Sequence, residues 1–303
     1  MKSTVNDRAE LTGFIGLGNM GAPMAARLLD AGVPLVVHDV RTAAMAPLEA
    51  RGARVAVSPA AVAEAAATVI TIVPSSREVT SLVDAMLPSL GPGHLIVEMT
   101  TSDPSVTRAL AARIVARGAA LVDAPVSGGV KGAIEGSLAI MIGGERGDVA
   151  RARPLLTHMG KRLFHVGGVS TGHAMKLVNN VTSAACLMAT AEAVAVAMRA
   201  GIEPACAVEV IAASSGRSNA SDWKFPRFIL PGRFDSGFTV ALMRKDVDGF
   251  LRLAEDMGVD APVAAAAAEY FRRAMQTPLA SADHTEVVTL LGEDFARVKE
   301  TQA

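Results

Sequence analysis

The chain has almost no net charge, almost no cysteine and little lysine, and each scarcity narrows its role. Its 29 Lys and Arg nearly balance 30 Asp and Glu, leaving −1, and the basic residues are scattered. That removes the electrostatic footprint of nucleic-acid or anionic-membrane binding. The two cysteines, Cys186 and Cys206, lie in apolar helical stretches, so neither a disulfide framework nor a metal-spaced pair is expected. Six histidines do not cluster with acids at ligand spacing, so no metal is expected. The start MKSTVNDRAELT has no apolar core, so no signal peptide and a cytoplasmic location are expected. No internal repeat is evident. Only seven of the 29 basic residues are Lys. A lysine in an apolar setting therefore stands out, because ammonium can release a proton and guanidinium cannot. What remains is ordinary: 303 residues, half of them hydrophobic and 19% charged, enough for two globular domains.

One lysine has such a setting. GGVSTGHAMKLVNN, Gly167 to Asn180, leads into a stretch without Gly or Pro from Ala174 to Ala200. An unbroken helix of roughly 40 Å is predicted. Apart from Lys176, Glu192 and Arg199 it is mostly Ala, Val, Leu and Met, so it should be buried. A membrane span is not expected, because the uncharged run Leu177 to Ala191 is short and holds Asn179, Asn180 and Ser183. Lys176 and Asn180, four apart, share one helix face. The ordinary role of such a lysine is a solvated head on an apolar stem; the other is a polar site of amine beside amide. His173 reads as a solvated or capping residue.

At the other end, GFIGLGNMGAPMAARLLDAG reads as strand, glycine turn and helix. Gly16 allows the tight turn, Gly18 lets the backbone approach a pyrophosphate, and Gly21 lets helix and strand pack. Asn19 and Met20 complete that turn. The next strand, PLVVHDV, ends in Asp39, placed to accept hydrogen bonds from an adenine ribose. NAD is the expected cofactor, with NADP the alternative because Arg41 lies two residues on. Strands and helices then alternate: helices over 43–51, 78–90, 104–117 and 148–159, and strands at TVITIVP, LIVEMT, ALVDAPVS, SLAIMIGG and LFHVGG. The pattern predicts a mostly parallel sheet covered on both faces, with the loops at Val73–Pro74, Thr100–Thr101 and Asp123–Gly129 at strand carboxyl ends. Composition shifts near residue 168. Beyond it come helices over 204–213, 239–258, 262–275 and 284–299, with a polar loop SSGRSNASDWKFP. The expected domains are a Rossmann-like one over 1–167 and an all-helical one for substrate and oligomerisation over 168–303.

Four blocks, FIGLGNMGAPMAARLL, DAPVSGGVKGAIEGSLAIMIGG, GHAMKLVNN and KDVDGFLRLAEDMGVDAP, resemble the β-hydroxyacid dehydrogenase family in order and spacing. The resemblance implies an α/β Rossmann-like domain and an all-α domain joined by a long helix that helps build a homodimer or homotetramer. It implies hydride transfer between NAD(H) and a small β-hydroxyacid or its semialdehyde, of the 3-hydroxyisobutyrate dehydrogenase kind. Lys176 then resembles the general acid or base, and Asn180 the substrate-orienting amide. Ser127, Gly128 and Gly129 match the carboxylate-holding residues. Val73, Pro74, Thr101 and Lys245 match cofactor-side positions. Two departures stand out: Glu98 where the family often has aspartate, and Glu78 where some members carry asparagine; neither is expected to touch the chemistry. Trp223 reads as a packing anchor or a pocket wall. The competing readings are an NADPH-dependent semialdehyde reductase and a non-catalytic NAD(P)-binding scaffold.

Overall fold

The computed structural model describes residues 11–292 and Phe295. They fall into two compact units that divide after Lys176. In the first unit nine strands form one sheet: β1 (Thr12–Ile15), β2 (Leu35–His38), β3 (Arg54–Val55), β4 (Thr68–Thr71), β5 (Leu95–Glu98), β6 (Ala120–Asp123), β7 (Val126–Ser127), β8 (Leu138–Gly143) and β9 (Gly160–Gly167). The first six are parallel in the order β3-β2-β1-β4-β5-β6, that of a dinucleotide-binding sheet. Around them run α1 (Gly21–Asp30), α2 (Ala46–Glu49), α3 (Pro59–Ala65), α4 (Ser76–Met86), α5 (Pro104–Val115), α6 (Gly129–Glu135) and α7 (Arg146–Met159).

Alternation along each strand divides the core. Phe14, Val37, Ile70, Val97 and Val122 pack on one face of the sheet. Their chain neighbours Ile15, Val36, Val69, Ile96 and Leu121 pack on the other. Successive side chains of a strand point oppositely, so a strand covered on both faces must be apolar throughout. That is why these strands read as unbroken hydrophobic runs. ALVDAPVS, read as one strand, is two: β6 and β7 separate at Ala124-Pro125, where proline has no N–H to give. Both pair antiparallel with β8 in a single register, Asp123 with Gly143 and Ser127 with Ala139, so β7 continues the line of β6.

Several boundaries differ from expectation. The helix expected over 43–51 is a 3₁₀ turn, Thr42–Ala44, followed by the single turn of α2, with Pro47 in it. GVKGAIE, not expected as a helix, forms α6, closed by Gly136 at φ 64. Ser58 caps α3, accepting from the Ala61 N–H.

α8 (Thr171–Arg199) begins in the first unit and continues into the second. There Val181, Ala184, Leu187, Met188, Ala191 and Val194 enter a core with Phe225, Ile229, Val247 and Phe271. By length and composition α8 is apolar enough to cross a membrane, so the shortness of its uncharged run does not carry the argument; core helices pass the same test. The second unit adds α9 (Pro204–Ala213), α10 (Val240–Asp256) and α11 (Pro262–Ala274). The expected polar loop is instead π-helical over Ala220–Ile229. Its Phe225, Phe228 and Ile229 are buried, giving it an inner face. Pro226 removes one N–H from the ladder, and the Leu230 N–H reaches the Phe225 carbonyl five residues back. The helix expected over 284–299 is 3₁₀ from His284 to Leu291; beyond Gly292 all of it but Phe295 lies outside the described residues.

Candidate active site

The glycine turn shows which glycines the protein itself requires. Gly16 has φ +95, and a Cβ there would lie 2.0 Å from the Ile72 carbonyl oxygen. A Cβ on Gly21 would lie 1.9 Å from the Gly16 carbonyl oxygen. Gly18 differs: its Cβ would meet nothing nearer than Arg41 Nη2 at 4.0 Å. Packing thus demands the first and third glycines, and the second leaves a cradle. Asn19 follows in the turn, and Met20 precedes α1 without a side-chain cap. Its first N–H groups point, with the positive end of the helix dipole, toward that cradle. The arrangement fits a dinucleotide pyrophosphate.

Asp39 is nearly buried, and both its oxygens are engaged. Oδ2 accepts the Leu17 N–H at 2.7 Å, and Oδ1 accepts from Arg41 N at 2.8 Å and Nε at 3.3 Å. Burial alone would raise its pKa, but the hydrogen bonds from Leu17 and Arg41 outweigh it and hold the carboxyl below its usual value. Asp39 therefore braces the glycine turn. Arg41 Nη2 donates to the Leu17 carbonyl, so the guanidinium lies along the same turn.

The other positions of this unit expected at the site follow strand ends. Val73 and Pro74 leave β4, and the Val73 N–H donates to Thr100 Oγ1 at 3.0 Å. Thr100 and Thr101 leave β5, and the Thr100 N–H donates to Glu98 Oε1 at 2.7 Å. Ser127 ends β7, and Gly128 and Gly129, at φ 132 and 63, open α6. Glu78 serves its own helix: Ser75 caps α4 through the Arg77 N–H and donates its hydroxyl to Glu78, which lowers the carboxyl pKa.

Lys176 is 7% exposed, so the solvated reading fails. The turn before it is pinned from below. Asp123, fully buried, accepts the Ser170 N–H through Oδ1 at 2.7 Å and the His173 N–H through Oδ2 at 2.8 Å. Ser170 is left-handed at φ 79, a strained state for a residue with a side chain. His173 is not solvated either. Its Nε2 stands 3.0 Å from Glu98 Oε2, and its Nδ1 2.7 Å from Thr107 Oγ1. Burial pushes the His173 pKa down, but the charges of Glu98 and Asp123 more than offset this and raise it. Burial raises that of Asp123 against the pull of His173. Glu98, not expected to touch the chemistry, is thus buried against His173, which stands one helical turn before Lys176.

In the second unit Asn180 is buried and donates from Nδ2 to Asp246 Oδ2 at 2.6 Å. Asp246 Oδ1 lies 3.3 Å from Lys245 Nζ. Asp246 stands within α10, so it orients its neighbours and does not start the helix. Trp223 is partly exposed and packs edge-on against Phe228, 4.7 Å between centroids. Lys224 was not expected at all. It is buried in the π-helical segment and donates from Nζ to Ser183 Oγ at 2.8 Å, and burial lowers its pKa to about 8. A basic residue inside a tract read as polar loop carries no signal of burial.

Fold, cradle and buried lysine together define a nicotinamide-dependent oxidoreductase of the Rossmann class. A family model described as the NAD binding domain of 6-phosphogluconate dehydrogenase matches residues 12–167. A second, described as NAD-binding of NADP-dependent 3-hydroxyisobutyrate dehydrogenase, matches residues 170–291. The mitochondrial 3-hydroxyisobutyrate dehydrogenase of Mus musculus is 40% identical over 256 residues, 80% of this chain and 74% of its own. The 2-(hydroxymethyl)glutarate dehydrogenase of Eubacterium barkeri is 35% identical over 91% of this chain and 93% of its own. A solved structure of Mycobacterium tuberculosis 3-hydroxyisobutyrate dehydrogenase with L-serine superimposes with TM-score 0.87 at 33% identity, covering 93% of this chain and 99% of that one. The chain belongs to the β-hydroxyacid dehydrogenase family. It is an NAD(P)-dependent enzyme of hydroxyacid oxidoreduction.

Proposed function

We propose that the chain interconverts a small 3-hydroxy acid and its semialdehyde, with Lys176 exchanging the proton of the substrate oxygen. The observation that carries this is a lysine buried on a helix whose first turn is held by Asp123 and His173. A desolvated ammonium at a fixed place is equipped for general acid–base work, and a scaffold that only binds nucleotide has no need of one. The nicotinamide, when bound, takes or gives the hydride. The chain supplies position and proton management.

The molecules that the relatives' names mention, 3-hydroxyisobutyrate, 2-(hydroxymethyl)glutarate and L-serine, share one skeleton. Each has a hydroxymethyl group on the carbon bearing the carboxylate, and they differ in that carbon's other substituent. We take this skeleton as the substrate class. Ser127 with the Gly128 and Gly129 backbone is its carboxylate site, Asn180 orients it, and Lys245 belongs to the cofactor side. NAD is the preferred cofactor. The test is reduction of NAD+ by these three acids, followed spectrophotometrically. Saturable turnover of at least one supports the reading, and nucleotide binding without turnover of any of them refutes it.

A further inference from the structure

Glu98 departs from the family pattern, and its two carboxyl oxygens reach different chain segments. Its Oε1 accepts the Thr100 N–H, and Thr100 Oγ1 in turn accepts the Val73 N–H. Its Oε2 faces His173 Nε2 at 3.0 Å. On the other side of the ring, Thr107 donates its hydroxyl proton to the Asp103 carbonyl at 3.0 Å. The same hydroxyl oxygen stands 2.7 Å from His173 Nδ1, so Thr107 and Glu98 flank the ring on its two sides. The His173 backbone N–H meanwhile donates to Asp123. One network thus ties the exits of β4, β5 and β6 to the turn of α8 that precedes Lys176.

Stability does not explain such a network. Burying a histidine between the carboxyl groups of Glu98 and Asp123 is expensive, and apolar residues of similar volume usually serve a core as well or better. Pre-organisation does explain it, because a reacting group must be held to within a fraction of an ångström. We propose that Glu98 and His173 are positioning residues, coupling the loops at Val73–Pro74 and Thr100–Thr101 to the helix turn that places Lys176. This rests on Lys176 being the acid–base group.

The test compares Glu98→Gln, His173→Gln and the double variant with wild type. Each would be assayed with NAD+ and whichever of the three acids the wild type oxidises fastest. Each single change should lower kcat about 10-fold or more, with KM for the acid moving less than about threefold. The double variant should lose no more than the worse single one, since both break the same link. Hydrogen exchange of the cofactor-free proteins gives a readout independent of activity: amides of 100–101 and 173–177 should exchange faster in the single variants while the rest of the sheet stays protected. If a single variant does not fold, the double variant, which removes both facing groups together, and Thr107→Val take its place. Wild-type kcat per folded molecule with unchanged local exchange, or losses that multiply in the double variant, would overturn the proposal. Normal turnover by Lys176→Met would instead overturn the acid–base reading.

Discussion

Asp246 holds Asn180 by one carboxylate oxygen, at 2.6 Å, and Lys245 by the other, at 3.3 Å. Because Asn180 donates to the carboxylate, its amide oxygen is the end left to accept, and it takes a hydrogen bond from Asn179. The orientation of the amide is therefore set by Asp246. Asp246→Ala should lower kcat/KM for the hydroxyacid about 10- to 100-fold, the worth of a charge-assisted hydrogen bond. Most of the change should appear in KM, measured by initial rates at saturating NAD+.

Lys176 should be needed for chemistry and not for folding. Lys176→Ala should cut kcat by about 10² to 10⁴. Lys176→Arg should fail almost as badly, since guanidinium keeps its proton. Nucleotide affinity by fluorescence titration and the melting temperature should change little. Wild-type turnover by the arginine variant would refute the acid–base role.

Cofactor choice should hinge on Asp39 and Arg41 together. Asp39 is committed to the Leu17 and Arg41 N–H groups, and Arg41 lies over the glycine turn. A carboxylate beside the ribose disfavours a 2′-phosphate, so kcat/KM should be higher for NAD+ than for NADP+. Arg41→Ala should weaken NADP+ use more than NAD+ use. Equal losses for both would show that Arg41 serves only the turn.

The substrate carboxylate should be essential. A methyl ester of the best acid should lose about 10- to 100-fold in kcat/KM, because a charge-assisted hydrogen bond to Ser127 and its neighbours is lost. Equal rates for acid and ester would remove the assignment of Ser127, Gly128 and Gly129.

Lys224 should make stability depend on alkaline pH. Its folded pKa, about 8, lies below the unfolded value of 10.5. Between these the unfolded chain holds a proton that the folded chain lacks, so this residue makes stability rise with pH across that window. Below pH 8 both states are protonated and the full cost is present, about 3 kcal/mol. Lys224→Met should flatten the rise in urea-unfolding free energy from pH 8 to 10.5. An unchanged pH slope would refute it. His284, pushed down to about 3 by burial and by the Lys224 charge, acts in the same direction at acid pH.

What could be read from the sequence was what neighbours in the chain determine. Gly16, Gly18 and Gly21 were legible because a turn needs them at fixed offsets, and the apolar strands because both faces are covered. Ser58 before Pro59 is a start signal of the same local kind, since capping needs only neighbours in the chain. Glu98, Asp123 and His173 were not legible as a group, since a contact between residues 50 to 75 positions apart has no local signal. His173 looked solvated because nothing adjacent reveals that two carboxylates come from other strands. The π-helical segment was missed because its polar residues resemble a loop, and only the burial of Phe225 and Ile229 orders it.

The sheet has unequal margins. β3, two residues long, offers little backbone at one side. On the other, β9 runs eight residues and, among the described residues, pairs with β8 alone. An open strand of that length invites a stranger's strand, and exposed Phe164 makes it more adhesive. Lys161 and Arg162, exposed near its beginning, act as gatekeepers, since their charges would be brought against any strand that tried to add there. The chain's tolerance of high concentration is therefore set at this margin, by two charges on one open strand.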